Sequence, residues 1–268
     1  MEYATRDSLV SQLGALGVRD GGVLLVHSSY RSLGFVVGGP QAAVQALLDA
    51  VGPAGTVVVP THTPDNSDPE SWSDPPVPRD WWEAIRHEAP GFDVARTPAS
   101  RYMGRLAELV RTWPGALRSD HPQVSFAAVG VRAAEIVSDH RLTDGLGEAS
   151  PIGAIYRLDG QILLLGCGHE ANTSMHLAET RQSDPPTHST GSTVRGADGV
   201  ARWTTWSEVD ADAGDFDRIG AAFEATGAVT VGPVGAATAR LMSQRAAVDF
   251  ASDWIPAHRP GWSGAAQR

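Results

Sequence analysis

The 268-residue chain contains no lysine; all 21 of its basic residues are arginine. A phosphate loop ending in Gly-Lys-Ser/Thr is therefore excluded, because the ammonium that clamps the phosphates is missing. Schiff-base chemistry, a pyridoxal phosphate site and a lysine general base are excluded for the same reason. Cysteine is almost absent as well. Cys167 stands alone, so no internal disulfide framework forms and a reducing compartment is expected. No apolar run approaches the ~20 residues that a membrane helix needs, and no basic segment followed by an apolar one opens the chain. The expectation is a cytoplasmic protein without a membrane partner. Positive charge is scarce overall, at a formal net charge of −10. That balance argues against nucleic acid, whose binding rests on basic residues displacing counterions. It suits a cationic small molecule, which a cleft lined by acids would concentrate.

The hydrophobic fraction of 42% is enough for a sizeable core, and the length fits one large domain. Apolar spacing predicts helices over residues 5–17, 41–51 and 102–112. Val23-Leu24-Leu25-Val26 and Thr56–Val59 read as buried strands flanking the second helix, which suggests a parallel pair in an α/β sheet. Further strands are predicted at 124–129 and 161–165, then a helix capped by Asn172 or Thr173 and running to about Thr180. Residues 187–207 read as a hairpin turning at Asp198-Gly199. A helix near 216–226, a strand near 228–231 and a helix near 235–244 follow, with a loose tail over 256–268. The chain is read as one α/β unit over 1–268, with a mixed central sheet flanked by helices and a smaller subdomain formed by insertions.

Three stretches offer chemistry. After the first strand, His27-Ser28-Ser29-Tyr30-Arg31-Ser32-Leu33-Gly34 places hydroxyls and backbone N–H groups where α/β sheets bind ligands, and such a loop holds phosphates. After the run Ile162–Leu165, the segment Gly166-Cys167-Gly168-His169-Glu170-Ala171-Asn172-Thr173-Ser174-Met175-His176 is again a strand, a glycine-rich turn and a helix start. There His176 suits a base beside an oxyanion site. Two alternatives stay open: a Cys167–histidine nucleophilic pair, or zinc held by Cys167, His169 and His176, although no second tight ligand pair exists elsewhere. The third stretch is acidic. Residues 65–83 and 208–217 are dense in carboxylates, and Glu208 and Asp210 point to one side of an extended segment. Trp72, Trp81, Trp82, Trp203 and Trp206 lie nearby and either wall a cation site or pack the core.

Leu25-Val26-His27-Ser28-Ser29, His121-Pro122 with Ser125–Gly130, and Leu164-Leu165-Gly166 through Asn172-Thr173-Ser174-Met175-His176-Leu177-Ala178-Glu179 occur in one order across nearly the whole chain. Together they resemble the aminoglycoside 3-N-acetyltransferases of the Antibiotic-NAT type, which are distinct from the GCN5-related acetyltransferases. The resemblance implies that family's α/β fold, with acetyl-CoA as co-substrate and no metal. The acceptor it implies is the 3-amino group of a 2-deoxystreptamine aminoglycoside antibiotic. It places the catalytic histidine on His176 and an oxyanion contact on Thr173. The acidic pair that meets the aminoglycoside falls on Glu208 and Asp210, and Glu208 is the first candidate to hold His176. Asp65, Asp68 and Glu179 join the acceptor side. The CoA loop falls on His27, Ser28, Ser29, Arg31, Ser32, Leu33 and Gly34, with Ser125 nearby. A monomer or a homodimer fits equally. An acetyltransferase of another amine, or a cysteine or zinc hydrolase, is the alternative.

Overall fold

The computed structural model describes residues 3–73, 75–196 and 198–262. Eleven strands and nine α-helices are formed among them. The strands are β1 (Tyr3–Ala4), β2 (Val23–Ser28), β3 (Phe35–Val36), β4 (Thr56–Pro60), β5 (Leu117–Arg118), β6 (Phe126–Gly130), β7 (Gln161–Leu165), β8 (Thr187–Arg195), β9 (Ala201–Val209), β10 (Val229–Val234) and β11 (Ala237–Ser243). The helices are α1 (Arg6–Leu16), α2 (Gly39–Val51), α3 (Trp82–Glu88), α4 (Gly104–Arg111), α5 (Ala133–Val137), α6 (Pro151–Arg157), α7 (Met175–Thr180), α8 (Phe216–Glu224) and α9 (Gln244–His258).

Seven strands form the central sheet in the order β10-β11-β7-β2-β4-β6-β5. β2 runs parallel to both β4 and β7, and the strands outside this trio pair antiparallel. The three parallel strands are nearly continuous runs of Val, Leu and Ile because both of their faces are covered. Alternate residues face opposite sides of the sheet. Leu24, Val26, Val57, Val59, Leu163 and Leu165 pack with α1, α2 and α4 on one face. Leu25, Val58, Phe126 and Ala128 pack with α5 through α9 on the other. β2 leads into α2 on the first face, while β7 is entered from α6 on the second, so the β2–β7 junction is the point where an α/β sheet opens a crevice at its strand ends.

The hairpin β8–β9 stands apart from the central sheet, and its loop is closed by the predicted Asp198-Gly199 turn. It packs on α3 through Thr193, whose hydroxyl donates to the Arg86 carbonyl at 3.0 Å. Arg86 in turn lies over the rings of Trp82 and Trp203. This is the smaller insertion layer that the sequence suggested.

Two C-terminal expectations are corrected. Residues 237–243 are strand β11, where a helix near 235–244 was expected. The Ala-rich stretch favours helix locally, but pairing with both β7 and β10 outweighs that preference. The helix begins later, at α9, where the Ser243 hydroxyl accepts the Ala246 N–H at 3.3 Å. The tail expected to be loose from 256 is also ordered as far as it is described. α9 continues to His258, and Arg259 and Trp262 are buried. Residues 263–268 of that predicted tail lie outside the described residues.

Candidate active site

A cavity of about 1200 Å³ opens at the carboxyl ends of β2, β4 and β7. The loop after β2 forms one wall. His27, Ser28, Ser29, Arg31 and Gly34 face the cavity. Ser32 and Leu33 serve the loop itself: the Ser32 hydroxyl donates toward Ser29 Oγ at 3.0 Å and the Gly166 carbonyl at 3.1 Å, and Leu33 is a core anchor with 1% exposure. Gly166 makes that crossing close. Its φ is +73°, and a Cβ there would sit 2.5 Å from Ser32 Cβ, so a side chain would push the two strand-end loops apart. Ser125, expected beside the loop, is fully buried and donates to the Thr61 carbonyl at 2.9 Å while accepting from Arg118. It supports the β4 end and does not reach the cavity.

The turn after β7 and the start of α7 form a second part of the wall, with Cys167, Thr173 and His176 lining it. α7 has no side-chain cap from Asn172 or Thr173. Their carbonyls accept the N–H groups of Met175 and His176 instead. The Thr173 N–H donates to the Ala171 carbonyl at 2.9 Å, and its hydroxyl reaches the same carbonyl at the longer distance of 3.5 Å.

His176 is held within α7 itself. Its Nδ1 lies 2.5 Å from Oε2 of Glu179, the next residue on the same helix face. Glu179 has no solvent exposure, so it cannot meet a ligand as the sequence reading expected. Its other oxygen accepts the Asp212 N–H at 3.1 Å and an N–H of Arg259. The Arg259 guanidinium is opposed by burial, but its hydrogen bonds to Asp215 and Glu179 outweigh that penalty and raise its pKa. The Phe216 ring packs on the imidazole with centroids 4.7 Å apart. With Nδ1 donating to the carboxylate, Nε2 keeps its lone pair for the cavity, the tautomer a general base needs.

Glu208, the sequence's first candidate for that carboxylate, stands elsewhere on the cavity wall. It accepts from the Trp206 indole N–H at 3.0 Å and lies 3.8 Å from His188, its cross-strand partner in the hairpin. Burial raises its carboxyl pKa, and the Trp206 hydrogen bond opposes that rise. Asp210 lies beside it at the rim, 3.5 Å from the other ring nitrogen of His188, without lining the cavity. Asp65 and Asp68 do not reach the cavity either. Asp65 is exposed, and Asp68 caps the Glu70 N–H and pairs with Arg86 at 2.7 Å.

Sequence reasoning missed His62, His188 and Arg105 on the cavity wall. His62 is the second residue after β4, so its place just beyond a strand end was the available signal. Burial, reinforced by His176, pushes the His27 imidazole down to about 3. Burial, reinforced by His27 and His176, does the same to His62. Both rings are therefore neutral beside His176 at ordinary pH. Burial and then Glu170 push the Cys167 thiol up to about 11, which leaves little thiolate for nucleophilic work. Among the described residues no three His, Cys, Asp or Glu side chains are grouped to hold a metal ion; of the zinc trio left open by the sequence, His169 Nε2 is engaged by Glu224 at 2.9 Å and His176 Nδ1 by Glu179.

The model of the family described as aminoglycoside 3-N-acetyltransferase matches residues 25–256. The SPbeta prophage-derived aminoglycoside N(3')-acetyltransferase-like protein YokD of Bacillus subtilis is 41% identical over 94% of this chain and 92% of its own. Its crystal structure superposes with a TM-score of 0.93 at 40% identity, covering 95% of this chain and 94% of that one. The structure of AAC-VIa bound to sisomicin matches at TM-score 0.86 and 32% identity, over 97% of this chain and 100% of the other. AAC-IIIb in a binary complex with CoASH matches at TM-score 0.86 and 30% identity, over 99% of this chain and 100% of the other. The sequence motifs, the mixed α/β fold and these matches agree: the chain belongs to the aminoglycoside 3-N-acetyltransferase family.

Proposed function

We propose that this protein transfers the acetyl group of acetyl-CoA to the 3-amino group of a 2-deoxystreptamine aminoglycoside. Transfer is direct, in a ternary complex, with His176 as general base. The observation that carries the reading is the His176–Glu179 pair facing one large cavity. Drug-sized ligands occupy pockets of roughly 300–1,000 Å³; a cavity of about 1200 Å³ has room for two substrates to meet. The relatives bound to sisomicin and to CoASH support one site for each kind of ligand.

The division of the walls supports the same assignment. In a chain without lysine, CoA phosphates are met by Arg31, Arg105 and the N–H and hydroxyl groups of the 27–34 loop. Glu208 and Asp210 lie on the side suited to a polycation. The amine nitrogen attacks the thioester carbonyl carbon, forming the C–N bond and a tetrahedral oxyanion near the Thr173 hydroxyl. His176 Nε2 takes the proton from nitrogen, and the ionised Glu179 stabilises the imidazolium that results. Collapse breaks the C–S bond, and the departing thiolate takes the proton and leaves as CoASH. The free antibiotic carries an ammonium there, which loses its first proton to solvent before attack; the product carries an amide, one positive charge fewer, which is the basis proposed for resistance.

The test is thiol release from acetyl-CoA against a panel of 4,5- and 4,6-disubstituted aminoglycosides and apramycin, with wild type and His176→Ala. Turnover is expected on at least one compound, and removal of the base is expected to cost roughly 10²–10⁴-fold in kcat. Near-wild-type turnover by His176→Ala would remove the base assignment. Turnover on none of the panel would move the reading to an acetyltransferase of another amine.

A further inference from the structure

We infer that Arg259, supplied by the segment after α9, is a positioning residue for the His176 base and acts through Glu179. The inference rests on the reading of His176 above. The role comes from this chain's own geometry.

Glu179 is a carboxylate with no access to water, and such a group is tolerated only when its oxygens are fully engaged. One oxygen serves His176. The other has two donors, the Asp212 N–H and Arg259 Nη1. The guanidinium is itself fixed on its remaining sides. Nε donates to Asp215 Oδ2 at 2.9 Å, and Nη2 donates to Asp215 Oδ1 and to the Asp212 carbonyl at 2.9 Å. The Trp262 ring lies against it, with the guanidinium carbon 4.9 Å from the ring centroid. Asp215 immediately precedes Phe216, whose ring packs on His176.

Two consequences follow. Glu179, Asp215 and Arg259 sum to one negative charge, which an imidazolium on His176 neutralises. The planar fork also fixes which way the Glu179 carboxylate faces, so that Oε2 meets Nδ1 and the ring presents Nε2 to the cavity. A lysine in place of Arg259 would supply the charge without the fork.

The test compares steady-state kinetics of Arg259→Ala and Arg259→Lys with wild type and His176→Ala, normalised to folded enzyme by circular dichroism. Orienting partners of this kind typically contribute roughly 10–100-fold; that loss is expected in kcat for Arg259→Ala, with KM for both substrates unchanged. Arg259→Lys is expected to fall between. Millimolar guanidinium chloride is expected to restore part of the Arg259→Ala kcat, where equal sodium chloride does not. A purely structural role would leave kcat per folded enzyme unchanged and give no guanidinium rescue, and that result overturns the inference. A raised KM at constant kcat overturns it as well. If Arg259→Ala does not fold, Asp215→Asn, which loosens the fork from its anchor, carries the same test, and an unchanged kcat there overturns the inference. Arg259 variants with full kcat beside an inactive His176→Ala would sink this inference and leave the base assignment standing.

Discussion

Nδ1 of His176 and Oε2 of Glu179 lie 2.5 Å apart across one turn of α7, whereas Glu208 is engaged by Trp206 and His188 instead. The two carboxylates should therefore fail differently. Glu179→Gln places an amide against Nδ1 and can reverse the ring's tautomer, leaving Nε2 without its lone pair. The expected loss is roughly 10²–10⁴-fold in kcat, as for other orienting carboxylates beside a catalytic histidine, with KM little changed. Glu208→Gln is expected to raise KM for the aminoglycoside and to spare kcat. Steady-state kinetics on both variants decide the matter. The opposite split would give Glu208 the orienting role that the family resemblance suggested.

Cys167 lines the cavity, yet burial and Glu170 hold its thiol pKa near 11. A thiol so poor in thiolate is a weak nucleophile at neutral pH. Cys167→Ser should keep wild-type turnover, and intact-mass spectrometry during turnover should show no acetylated enzyme. An acetyl adduct that disappears in Cys167→Ser would establish a covalent route in place of direct transfer.

What was legible in the sequence follows the range of the interactions involved. The β2 and β7 runs and the loops at their ends were visible because buried parallel strands are continuously apolar and ligand loops follow them. The pairing of His176 with Glu179 was also within reach, since residues three apart share a helix face. The competing assignment to Glu208 came from family resemblance, and it overlooked that local spacing. Arg259 lies 80 residues from Glu179 along the chain, and no local pattern marks such a contact. The meeting of His188 and Glu208 needs the hairpin register, which periodicity does not fix. β11 was misread because its alanines favour helix in isolation, while its two sheet neighbours are supplied by distant parts of the chain.

The histidines beneath and beside the cavity are expected to set the acid limit of stability. Burial first, then neighbouring positive charge, brings His27, His62 and His121 down to about 3, and burial brings His140 to about 4, from an ordinary 6.5. For His121 the geometry agrees: its Nδ1 accepts the N–H groups of Gln123 and Val124 at 3.2 and 3.1 Å, which an imidazolium cannot do. Above pH 6.5 these rings are neutral in both states and add no slope. Below it the unfolded chain binds protons that the folded chain refuses, so stability falls with pH, by up to about 1.4 kcal/mol per pH unit for each ring. Urea midpoints measured from pH 7.5 to 4.5 should therefore drop steeply below about 6. His121→Gln, which removes one of these rings, should flatten the slope in proportion. A midpoint that stays level between pH 7 and 5 would mean that the folded protein protonates these rings. The cavity wall would then be wetter, and His27 and His62 more highly charged, than a dry site for thioester aminolysis requires.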